Sequence, residues 1–122
     1  MSFVPQDVIN KLGNLSQSDA DNLPFGVIKL DNHGVVSIYN QWESKMAGVA
    51  KDQAVGQNFF KEVAPCTNNR LVYGRFKKGV ANGQLDSVVP YTFTYRMNPT
   101  NVDLHLYHDV GSKTNWVFVK TA

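Results

Sequence analysis

Phe25-Gly26-Val27-Ile28-Lys29-Leu30-Asp31-Asn32-His33-Gly34-Val35-Val36-Ser37-Ile38-Tyr39-Asn40 is the stretch that decides the fold. Residues 25–30 and 35–40 are rich in β-branched and aromatic side chains, and Asp31, Asn32, His33 and Gly34 between them tolerate the positive φ of a tight turn. That is a β-hairpin pattern. Downstream, Asn40 stands where it can cap a helix over residues 41–47 that stops at Gly48, and a second brief helix fits 51–55 before Gly56. After residues 58–66 comes a longer amphipathic helix over about 71–82, with Val72, Phe76, Gly79 and Val80 on one face and Gly83 as terminator. Three strand candidates follow at 87–95, 102–110 and 115–120. Pro90 has no N–H to give a ladder, which places the start of the first of them at an edge or a bulge.

Upstream of the hairpin, residues 5–12 read as one short helical piece and a second begins at Ser16, whose side chain can cap it with Asp19 three residues on. Val8, Ile9 and Leu12 make an apolar stripe, but pieces this short are not stable alone in water, so they must dock. Two strands, short helices, one longer helix and three strands is an α+β order. It predicts a central antiparallel five-stranded sheet with helices on one face, residues 25–122, preceded by a short N-terminal helical cap, residues 1–24.

The 122 residues suit one domain, and 43% hydrophobic with 18% charged residues is enough to bury a core. A formal charge of +2 with no basic run longer than Lys77-Lys78 argues against nucleic acid as a partner. No segment has the apolar length of a membrane helix, and the first residues lack a signal-peptide pattern, so a cytoplasmic protein is expected.

Cys66 is the only cysteine, which excludes an internal disulfide and a cysteine-rich zinc site. A lone cysteine reads first as a small hydrophobe, and neighbouring residues must argue otherwise. They do. The strings Ile38-Tyr39-Asn40 with Glu43 four residues after the tyrosine, Gly56-Gln57-Asn58-Phe59-Phe60-Lys61-Glu62-Val63-Ala64-Pro65-Cys66-Thr67, Tyr91-Thr92-Phe93-Thr94-Tyr95-Arg96-Met97-Asn98-Pro99-Thr100 and Trp116-Val117-Phe118-Val119-Lys120 closely resemble the photoactive yellow protein family of blue-light receptors. The resemblance runs from Phe25 to the C-terminus and is weaker in the cap.

The resemblance implies a PAS fold and a p-coumaric acid (4-hydroxycinnamic acid) chromophore held as a thioester on Cys66. A thiolate is the side chain suited to attack an activated acyl donor. Tyr39 and Glu43 match the residues that hydrogen-bond the chromophore's phenolic oxygen. A strand ending at Tyr39 and a helix starting near Asn40 would bring Glu43 back beside the tyrosine after about one turn. Holding a phenol of pKa about 10 as phenolate at neutral pH needs roughly three units, about 4 kcal/mol. Hydrogen bonds to a charged group contribute roughly 1.5–3 kcal/mol each, so two donors supply about that amount before desolvation is counted. Glu43 can donate only when protonated, which burial favours.

Met97 matches the family methionine that assists thermal recovery, and Phe59, Phe93 and Tyr95 match aromatics of the pocket wall. The implied cycle is trans–cis photoisomerisation, proton transfer from Glu43 to the phenolate, partial unfolding that moves the cap, and thermal return with no substrate turned over. The partners implied are the small-molecule chromophore and a downstream signalling protein, with no nucleic acid and no membrane, the receptor itself being a monomer. At Ala47 and Val49 this chain departs from the resemblance, where a threonine supporting the tyrosine and an arginine lid are usual; alanine has no donor and valine no charge. Arg96 reads as a solvated surface arginine, with a partial stand-in for the missing arginine as the alternative.

Two rival readings stand beside this one. A PAS-type module could bind another ligand or a protein partner with Cys66 unmodified. A cysteine hydrolase would need His33, His105 or His108 as base, but His33 reads as turn chemistry and the odd spacing of His105 and His108 puts them on opposite faces of one strand.

Overall fold

The computed structural model describes residues 3–94 and 98–122. The chain opens with α1 (Gln6–Ile9), a 3₁₀ turn (Leu12–Asn14) and α2 (Gln17–Asp21). Ser16 starts α2 with a reciprocal capping box: its Oγ accepts from the Asp19 N–H at 3.0 Å and its own N–H donates to Asp19 Oδ2 at 3.1 Å.

The hairpin forms as β1 (Gly26–Leu30) and β2 (Val36–Tyr39), with Gly34 at φ 92° in the turn. Then come α3 (Gln41–Ala47), closed by Gly48 at φ 70°, and α4 (Lys51–Ala54). The expected single helix over 71–82 is built in two parts. A π-helical turn, Arg70–Gly74, runs into α5 (Arg75–Asn82), because Gly74 N–H reaches back to the Asn69 carbonyl at 2.9 Å while the Asn69 side chain takes the Val72 N–H. Residues 58–66 hold a second π turn, Phe59–Val63, and a 3₁₀ turn, Pro65–Thr67.

The last strands are β3 (Asp86–Phe93), β4 (Thr100–Asp109) and β5 (Thr114–Thr121). The sheet is antiparallel in the order β2-β1-β5-β4-β3. Pro90 therefore lies in an edge strand, where its missing N–H deprives no neighbour of a bond.

Because side chains alternate along a strand, the sheet has two dissimilar faces. Ile28, Leu30, Leu104, Leu106, Val117 and Val119 point to one, where they pack with Phe59, Phe60, Val72 and Phe76 from the helical segments. Val27, Ile38, Trp116 and Phe118 point to the other, where Val4, Val8, Leu12 and Ala20 of the N-terminal helices cover them. The sheet is thus covered on both faces, the N-terminal helices lying opposite the longer helical segments. No helix among the described residues is long and apolar enough to cross a membrane.

Candidate functional site

The site starts at Asn40, which is fully buried and uses all four of its hydrogen-bonding positions. Its Oδ1 accepts from Val27 N–H at 2.9 Å and Glu43 N–H at 3.1 Å, and its Nδ2 donates to the carbonyls of Ala20 and Phe25, both at 2.8 Å. One side chain therefore joins β1, α2 and the first turn of α3. It delivers Tyr39 at the end of β2 and Glu43 in the first turn of α3 to the same cleft.

The cleft is lined by Tyr39, Glu43, Ala47, Val49, Val63, Ala64, Cys66 and Phe93. Its open space is about 10 Å³, room for about one water, so seating a ring there requires wall side chains to part. Glu43 is 1% exposed, and its Oε1 has no hydrogen-bond partner among the described residues. Burial pushes its carboxyl up to about 8, so at neutral pH it is a protonated acid, a donor rather than an acceptor. Tyr39 is 1% exposed, and burial, followed by the nearby Glu43 carboxyl, raises its hydroxyl well above the usual phenol range, so it too is a donor.

Gly26 makes room for this acid. A Cβ at that position would collide with Glu43 Oε1 and stand 2.8 Å from Val119 Cβ, so only glycine lets the carboxyl lie against β1. Neither a turn motif nor a hydrophobic period marks Gly26 in the sequence; its reason is tertiary.

Cys66 lies half-buried in the 3₁₀ turn that helps line the cleft, as a free thiol. Its carbonyl accepts from the Tyr91 hydroxyl and, at 3.1 Å, from Asn69 Nδ2, which also donates to Tyr91 Oη at 2.7 Å. The Cys66 backbone is therefore tied to edge strand β3 and to the start of the next helical turn.

Of the residues singled out in the sequence, Cys66, Tyr39, Glu43 and Phe93 come together at the cleft, and Ala47 and Val49 line it too. Phe59 does not line it. Its ring is fully buried in the core at the start of the π turn, edge-on to Phe60 at 5.2 Å. Met97, Tyr95 and Arg96 lie outside the described residues. Val63 and Ala64 were not anticipated; their place just before the Pro65-Cys66 turn is the signal that marks them. The histidines stand elsewhere. His33 is exposed in the hairpin turn. His105 is buried among Phe3, Phe118 and Tyr107 and meets Asp86 at 2.6 Å, and His108 bonds Asn115 Oδ1 at 2.7 Å. Among the described residues no three His, Cys, Asp or Glu side chains form a metal-binding group.

A photoactive yellow protein of Halochromatium salexigens is 42% identical over 118 residues, 97% of this chain and 94% of that one, and one of Rhodothalassium salexigens is 38% identical over 120 residues, 98% and 96%. The chain belongs to the photoactive yellow protein family. No family model matches it. Among solved structures, the photoactive yellow protein domain of the sensor histidine kinase Ppr from Rhodospirillum centenum superimposes with a TM-score of 0.86 at 34% identity, covering 93% of this chain and 99% of that domain. PAS domains at 11–16% identity align with TM-scores of 0.57–0.67, a likeness of fold alone. The fold is the α+β PAS fold, and family membership makes the chain a photoreceptor of the photoactive yellow protein type and not an enzyme. Such a receptor needs a chromophore, and the protein's one cysteine faces the cleft.

Proposed function

We propose that this protein is a cytoplasmic blue-light receptor that carries p-coumaric acid as a thioester on Cys66, with the phenolic oxygen held by Tyr39 and Glu43. The observation that carries this reading is Glu43: a buried, protonated carboxyl, one oxygen of which has no partner among the described residues, in the lining of a cleft that also includes the one cysteine. A buried polar atom of this kind costs roughly 1–3 kcal/mol, and an anionic acceptor beside it would relieve that cost.

Cys66 Sγ, as thiolate, attacks the carbonyl carbon of an activated thioester of the acid. The new C–S bond forms as the donor's C–S bond breaks, and the donor thiol leaves with the proton. Once bound, the cinnamoyl group supplies the light absorption and the trans–cis isomerisation. The chain's residues do the rest. Tyr39 and Glu43 each offer one O–H to the same oxygen, and Glu43 holds the proton that can be released to it. Losing that proton would leave a carboxylate buried against Gly26 and Val119, at a cost of several kcal/mol that water entry or movement of α3 relieves. Movement of α3 strains Asn40 and so the cap at Ala20, which is the surface a downstream signalling protein would read. In the dark the receptor is a monomer.

The test is reconstitution with an activated p-coumaric acid donor, read by intact mass and absorption. One coumaroyl addition with a visible band that bleaches in blue light and recovers in darkness is expected, and Cys66→Ala should stay folded and colourless. Glu43→Gln should shift the band to longer wavelength. A folded protein that forms neither adduct nor band overturns the reading and leaves a PAS module for a non-covalent ligand.

A further inference from the structure

Tyr39 ends an edge strand. Asn40 N–H turns inward to the Val27 carbonyl, so by the alternation of an antiparallel ladder the N–H and C=O of Tyr39 point outward, away from β1. An outward peptide edge normally meets water or another strand. Here it meets one side chain of the cap. Gln17 Oε1 accepts from Tyr39 N–H at 3.2 Å and Gln17 Nε2 donates to the Tyr39 carbonyl at 2.8 Å. The carboxamide acts as a single residue of an added strand.

Its orientation is set by Asp21, one helical turn away. Gln17 Nε2 also donates to Asp21 Oδ1 at 3.0 Å, so both amide protons are assigned and the oxygen must face Tyr39 N–H. Asp21 is itself held: Oδ1 accepts from Gln41 N–H at 2.8 Å, and Oδ2 meets Lys51 Nζ at 2.7 Å. Burial alone would raise the Asp21 carboxyl, but Lys51, the Gln41 amide and Gln17 outweigh it and keep the group ionised.

We propose that Gln17 is a positioning residue for Tyr39: its carboxamide, aimed by Asp21, fixes the Tyr39 backbone from the outer edge of the sheet and so fixes where the tyrosine hydroxyl meets the chromophore. This rests on the reading of Tyr39 as a donor to the phenolic oxygen. The consequence is a direct coupling between cap docking and the site. A docked α2 holds Tyr39, and by reciprocity a Tyr39 pulled from its partner weakens the hold on α2. Asn40 links the cap to Glu43; Gln17 links it separately to Tyr39.

The experiment uses Gln17→Ala and Gln17→Glu, the second keeping an acceptor but losing the donor to Tyr39 and facing the Asp21 carboxylate. In chromophore-free Gln17→Ala protein, amide exchange measured by NMR should rise about tenfold at Tyr39. Exchange at Leu12 and Ala20 should change far less, because the cap keeps its other contacts. In loaded protein the titration midpoint of the visible band should rise in both variants, and the rise should vanish in a Tyr39→Phe background. Unchanged exchange at Tyr39, or exchange rising equally throughout the cap, overturns the inference; so does a midpoint shift that persists without the tyrosine hydroxyl. If wild-type protein takes up no chromophore, the receptor reading fails, while exchange accelerated at Tyr39 still upholds the Gln17 hold on that residue.

Discussion

One face of the sheet carries Phe59, Phe60, Val72 and Phe76 over Leu104, Leu106, Val117 and Val119; the other carries Leu12 and Ala20 over Trp116 and Phe118. Alternate residues of the same strands supply both, so their sequence composition differs little. Their covers differ greatly. Over the first, the helical segments enclose the cleft, and a buried acid is packed among apolar groups. The second is covered by helical pieces of three to five residues, which have no stability apart from the sheet. The covers meet at Asn40, Gln17 and Asp21, where a few hydrogen bonds join the dispensable layer to the chemical one. A receptor gains from this division, because a local opening can occur while the other layer keeps the fold.

The largest effect should come from pH acting on the cleft face alone. Glu43 is raised from 4.5 to about 8, so the folded protein binds its proton more tightly than the unfolded chain. The stability this gives is fully present below pH 4.5 and is lost as pH rises through about 8. For chromophore-free protein the loss is on the order of 5 kcal/mol, and Glu43→Gln should flatten it. Urea unfolding at pH 5 and pH 9 checks this; equal slopes with pH in both proteins would remove Glu43 as the cause.

Truncation should separate the two covers next. Phe60→Ala removes a fully buried ring from the cleft-side core and should cost about 3–5 kcal/mol of global stability. Leu12→Ala, equally buried, should instead release the cap, speeding exchange in residues 5–21 while the urea midpoint of the sheet moves little. Equal global losses would mean that the faces unfold as one.

Gly26→Ala tests the packing around the acid. With its Cβ forced against Glu43 and Val119, it should cost about 1–3 kcal/mol and shift the visible band of loaded protein. Serving as control, Gly111→Ala meets nothing within 4 Å and should leave the band in place.

The smallest effect concerns Ala47 and Val49. Both line the cleft, where they offer neither a donor nor a charge. Ala47→Thr with Val49→Arg should lower the titration midpoint of the visible band by about half a unit, since each adds a group that favours phenolate. An unmoved midpoint would show that these positions do not tune the site.

Much of this was legible in the chain. The hairpin, the Asn40 and Ser16 caps, the glycine stops and the three C-terminal strands depend on local chemistry, and local chemistry is written in neighbouring residues. The odd spacing of His105 and His108 correctly separated them across the sheet. The π turns were not legible, because a bond such as Gly74 N–H to the Asn69 carbonyl shifts the helical register by one residue without leaving a mark in hydrophobic spacing. Phe59 is buried and is not among the residues lining the cleft, and its neighbours along the chain favour burial without saying on which side of a wall.

The sequence by itself determined the α+β order, the periodic faces and the long strings that place the chain in its family, since all three follow from residue identity and spacing. Only the tertiary structure decided that Glu43 lies against Gly26 with an unsatisfied oxygen, that Val49 and not Phe59 walls the cleft, and that Gln17 closes the open edge at Tyr39. Those facts join residues distant along the chain, Glu43 with Gly26 and Gln17 with Tyr39, and hydrogen-bond reach and steric exclusion are properties of distance in space, which spacing along a sequence does not record.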